Sequence, residues 1–82
     1  MNEMLCEVLN LCYKISTESE ADVFFDYIPH CNAYHVDVYP HGWKPNTGKH
    51  PLTGSVETLT EESLKNTIIQ LKAIAMFLEV AA

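Results

Sequence analysis

The stretch "DVFFDYIPHCNAYHVDVY", residues 22–39, decides how this chain folds. Both of its ends are rich in aromatic and β-branched residues, the composition of strands. Its middle, Pro29 to Asn32, reads as a four-residue turn. "AYHVDVY", 33–39, alternates apolar and polar side chains, the period of a strand with one face in a core. A turn of that length sets the register. Tyr27 falls opposite Tyr34, Phe25 opposite Val36 and Val23 opposite Val38, which makes one apolar face. The other face pairs Asp26 with His35 and Phe24 with Asp37.

Working outward, residues 1–16 read as an amphipathic helix. Met4, Leu5, Val8, Leu11, Cys12 and Ile15 recur at three- and four-residue steps. Cys12 belongs to that stripe and Cys6 lies near its edge. The two thiols point about 240° apart around a helix, so they cannot pair there. "STESEAD", 16–22, is a polar connector. On the other side, "PHGWKPNTGKHPLTG", 40–54, holds three of the four prolines and all three glycines. It has no apolar period and reads as a long loop. "SVET", 55–58, has the length of a short edge strand. Residues 59–80 form a second helix, with Thr58 and Glu61 as a capping box. Leu64, Ile68, Leu71, Ala75 and Leu78 mark its core stripe. Ile69, Ile74, Met76, Phe77 and Val80 widen the apolar surface beyond what one sheet covers.

The order is helix, strand, strand, long loop, short strand, helix. It predicts a single two-layer α+β domain, a small antiparallel sheet with two helices on one face. Double-stranded-RNA-binding domains share that order. The likeness is one of topology, because the basic helix start those domains use is here "TEES", 60–63.

Composition narrows the functions. A chain of 82 residues has a small core, and help from a second copy is a natural expectation. The net charge is −6, all five bases are lysines, and there is no arginine. Direct nucleic-acid binding is therefore disfavoured, since it leans on basic patches and the arginine fork. The three cysteines, Cys6, Cys12 and Cys31, form no CxxC. The first residues carry acids where a signal peptide carries lysines, and no apolar run approaches a membrane span. A reducing cytoplasm with free thiols is the expected setting.

The pattern that could carry chemistry is Asp26, His35 and Asp37 on the outer sheet face. Carboxylates beside an imidazole can ligate zinc or orient a base. The plainer expectation is a solvated cross-strand pair, with no metal and no cofactor. His30 and Cys31 in the turn, and His41 and His50 in the loop, match no finger or knuckle spacing. A Cys31–His35 dyad lacks an orienting group and an oxyanion hole. There is no G-x-S-x-G and no glycine-rich phosphate loop, so no catalytic residue is expected. Trp43, the lone tryptophan, is either a lid over the sheet or an anchor for a partner, with Phe24 and Tyr39 as contacts for it or for the partner.

"VFFDYIPHCNAYHVDVYPHGW", 23–43, followed by a capped helix, resembles small uncharacterised proteins of phages and prophages of Gram-positive bacteria. The resemblance covers about the middle third of the chain. It implies a cytoplasmic accessory protein and assigns no chemistry to Phe24, Asp26, His30, Gly42 or Trp43. The expectation is a non-enzymatic protein-interaction module, dimeric through Ile69, Met76, Phe77 and Val80, without membrane or nucleic-acid contact. Two alternatives stand beside it: a metal-binding protein using Asp26, His35 and Asp37, and an acidic inhibitor of a host nucleic-acid-binding enzyme.

Overall fold

The structure is a computed structural model that describes residues 2–42 and 56–80. Helix α1 (Asn2–Glu18) leads into strand β1 (Asp22–Ile28). A single 3-10 turn, Pro29–Cys31, then connects to strand β2 (Ala33–Tyr39). Strand β3 (Val56–Thr58) and helix α2 (Glu61–Phe77) complete the order. The sheet is antiparallel with β2 in the centre.

The hairpin register is the one the alternation requires: Val23↔Val38, Phe25↔Val36 and Tyr27↔Tyr34. Asn32 closes the turn in the left-handed region (φ 48°), and its N–H donates to the Pro29 carbonyl. Asparagine tolerates that conformation better than most residues. The inner face is uneven. Tyr34, Val36 and Val38 on β2 are buried, and Val23 and Phe25 on β1 are partly so. Tyr27 remains 51% exposed, although the pattern assigns it to the core face. It sits on the edge strand beside the turn, and its hydroxyl lies 3.3 Å from the Asn32 side-chain oxygen.

Both helices cover this inner face. α1 contributes Val8, Cys12 and Ile15, and α2 contributes Leu64, Ile68 and Leu71. The first helix runs two residues further than its apolar stripe alone suggests. Serines manage its exit. Ser19 Oγ donates to the Ile15 carbonyl at 2.6 Å and accepts from Ala21 N–H. Ser16 Oγ accepts the Val23 N–H, which ties the start of β1 to the helix.

Helix α2 corrects two boundary expectations. Its N-cap is Thr60, not Thr58: Thr60 Oγ1 accepts the Ser63 N–H, and Ser63 Oγ accepts the Thr60 N–H. Thr58 is unavailable because it pairs with Ala33 in the sheet, and Leu59 N–H continues to the Asn32 carbonyl. The helix also ends at Phe77 rather than at residue 80. Glu79 adopts φ 60°, Val80 N–H donates to the Ala75 carbonyl and Glu79 N–H to that of Met76. That is a Schellman stop with glutamate where glycine is usual. The third strand begins at Val56. The expected loop over 40–54 is described only to Gly42, whose N–H closes a turn on the Tyr39 carbonyl. Trp43, Lys44, Lys49 and His50 lie outside the described residues.

Candidate functional site

Because side chains alternate along a strand, the residues between the core positions all point away from the helices. On β1 these are Asp22, Phe24 and Asp26; on β2 they are His35, Asp37 and Tyr39. The register stacks them in rows: Asp22 with Tyr39, Phe24 with Asp37, and Asp26 with His35. Among the described residues no helix covers this outer face.

His35 is the hub. Its Nε2 lies 3.2 Å from Asp26 Oδ2 and its Nδ1 lies 3.3 Å from Asp37 Oδ2. The two contacts differ in kind. Asp26 is well exposed, whereas Asp37 and His35 are mostly covered. Nδ1 is buried and makes no hydrogen bond, so its contact with Asp37 is one of proximity alone. We read that contact as electrostatic. A neutral imidazole has one N–H and can serve one carboxylate; an imidazolium serves both.

Ligand atoms of Asp26, His35 and Asp37 lie within 4.8 Å of one another, close enough to be considered for a metal. The arrangement divides them, however. The carboxylates sit at different ring nitrogens. An ion on Nε2 would be shared with Asp26, and Asp37 would then orient the ring through Nδ1, as carboxylates often do behind a metal-bound histidine. Two direct ligands fall short of the three that a catalytic zinc site takes from the protein.

Beside the histidine, Phe24 and Tyr39 meet edge to face, with ring centroids 5.7 Å apart and planes at 81°. These rings, with Asp26 and Asp37, line a shallow depression of about 230 Å³. Enzyme and cofactor pockets usually start at about 300 Å³. Among the described residues, no other histidine, cysteine or carboxylate joins the Asp26–His35–Asp37 cluster. His30, Cys31 and His41 are exposed. Cys31 Sγ lies 4.0 Å from the Ile28 carbonyl, and His35 is held between its carboxylates, so the two form no dyad. Cys12 is buried, and that burial pushes its thiol up to about 11.

The helix layer carries the remaining expected partner residues. Ile69, Met76 and Phe77 are 65%, 80% and 75% exposed. Val80 is half-buried and belongs to the helix stop. Ile74, which widens the apolar stripe, packs against the core. Sequence reasoning passed over two further exposed apolar side chains on α1, Leu9 and Tyr13. Their spacing of four residues, off the main stripe, was the available signal. Among the described residues no helix is long and apolar enough to cross a membrane.

No family model, no curated protein and no solved structure matches this chain.

Proposed function

We propose that this protein is a small non-enzymatic interaction module that works as a homodimer through the outer face of α2. One observation carries the reading. Ile69, Met76 and Phe77 recur at steps of seven and one, with exposed Ala73 between them, on the side of α2 turned from the core. Large apolar side chains at this exposure and spacing form a patch of the kind that marks interfaces. A twofold axis would bury the same stripe on both copies, the commonest closed arrangement. The resemblance of the hairpin to phage and prophage proteins supports a cytoplasmic accessory role. Sedimentation equilibrium at micromolar concentration tests the dimer. We expect a dimer for the native chain and a folded monomer for Phe77→Glu; a native chain that is monomeric throughout removes the reading.

Metal binding is a second reading, favoured by the proximity of Asp26, His35 and Asp37. Because the carboxylates divide around the ring, we expect no stoichiometric zinc after mild purification. One zinc per chain by elemental analysis, lost in His35→Ala, would promote this reading over the first. The inhibitor reading gains less support. The acids are spread over α1, the connector, all three strands and α2 rather than gathered on one face.

A further inference from the structure

Four side chains on the outer sheet face meet around one depression, and none of them belongs to the core cluster. Phe24 and Asp26 come from β1, Asp37 and Tyr39 from β2. Phe24 lies directly opposite Asp37, so Phe24 with Tyr39 and Asp26 with Asp37 are diagonal neighbours. Two rings and two carboxylates therefore border the same space. The described lysines, Lys14, Lys65 and Lys72, all sit on the helices. Among the described residues, His35 is the neighbouring group that can offset the two carboxylates. Even as an imidazolium it leaves Asp26, Asp37 and His35 together at one net negative charge.

We propose that this depression is a docking site for a cationic side chain, arginine first, presented by a basic segment of a partner protein. The argument is charge and shape complementarity. A guanidinium is flat, stacks on an aromatic ring and donates N–H groups to carboxylates in the same plane. An ammonium is a more strongly hydrated point charge and exploits the rings less. A metal ion would use the carboxylates and leave Phe24 and Tyr39 without a role. A nucleic-acid phosphate would meet like charge. The volume, about 230 Å³, suits one side chain rather than a whole cofactor. Asp37 is mostly covered, which limits the ordering needed on binding. The surface lies on the sheet layer, opposite the helix stripe, and the proposal stands or falls independently of the dimer.

The test is a titration of the ¹⁵N-labelled full chain, followed by amide chemical shifts, with N-acetyl-arginine methylamide. The control probe is its citrulline counterpart, which has nearly the same shape and no charge. Arginine should move the amides of residues 24, 26, 37 and 39, with a response at least about threefold larger than that of citrulline. Asp37→Asn and Phe24→Leu, with otherwise native spectra, should each weaken the arginine response roughly two- to fivefold. Raising the salt should weaken it too, since the site is exposed. Equal responses to arginine and citrulline, shifts confined to other surfaces, or no shifts at all would overturn the proposal. So would a response to spermidine without one to arginine, which would make the site a polyamine site.

Discussion

Tyr34 shows how one residue joins sheet to helix. Its ring is buried and stacks on Phe25 with centroids 5.8 Å apart, while its hydroxyl meets two side chains of α2. It donates to Ser63 Oγ at 3.3 Å, which leaves Thr67 Oγ1, 2.7 Å away, as donor to Tyr34. Ser63 Oγ in turn donates to the Thr58 carbonyl at 2.6 Å. Removing one member strands the other in a dry site, a loss of about 1–3 kcal/mol. Tyr34→Phe should therefore lower unfolding free energy by about that amount in urea. Thr67→Val together with Tyr34→Phe should cost less than the sum of the single changes, because no buried hydroxyl of that pair remains unpaired. Additive costs would mean that the contact contributes nothing as a bond. Cys12 allows a second test at this scale. Burial raises its pKa from 9.0 to about 11. The folded state thus keeps a proton that the unfolded chain gives up. The stability from this group is full below pH 9 and is lost as pH rises toward about 11. Exposed Cys6 and Cys31 should react with a thiol reagent at pH 8, and Cys12 only on unfolding. Three equally fast thiols would contradict the core placement.

At the scale of elements, the hairpin was legible in advance and the helix ends were not. Alternation along 33–39 and a four-residue turn leave one register that buries Tyr34, Val36 and Val38 together, and slipping it by one would expose all three. The cap of α2 offered no such guide. Thr58 with Glu61 fits the T-x-x-E capping pattern and Thr60 with Ser63 does not, yet sheet pairing at Thr58 leaves the cap to Thr60. The stop at Glu79 was hidden for a related reason: the residue in the left-handed position is not glycine, so no local signal marks it. The outer site was legible to the level of rows. The Asp26–His35 pair follows from register, but the placing of Asp37 at the second ring nitrogen depends on a ring rotation that no sequence pattern encodes. Two substitutions test these ends. Thr60→Ala should cost about 1 kcal/mol and Thr58→Ala clearly less by urea denaturation. Glu79→Gly should stabilise by about 1 kcal/mol, since glycine carries no penalty for positive φ. If Thr58→Ala proved the costlier threonine change, the cap would have been misplaced.

At the scale of the whole molecule, the question is how so small a core suffices. Both helices spend their inner stripes on one face of a three-stranded sheet, and α2 still shows Ile69, Met76 and Phe77 to water. If a second copy covers that stripe, folding and association are linked, and stability depends on protein concentration. For a dimer that unfolds to two chains, a tenfold rise in concentration is worth about 1.4 kcal/mol. Spread over the unfolding entropy of two such chains, at about 2.1 cal/mol/K per residue, this raises the melting midpoint by about 4 °C. The native chain should show that slope in calorimetry across a hundredfold range of concentration. The double variant Ile69→Glu/Phe77→Glu should show none and should melt lower at every concentration. The variant also separates the two explanations for the exposed stripe. Both positions are already open to water in the single chain, so charging them costs the monomer little. A variant that melts as the native chain does, with neither depending on concentration, would mean that the stripe is ordinary surface and the core is sufficient alone.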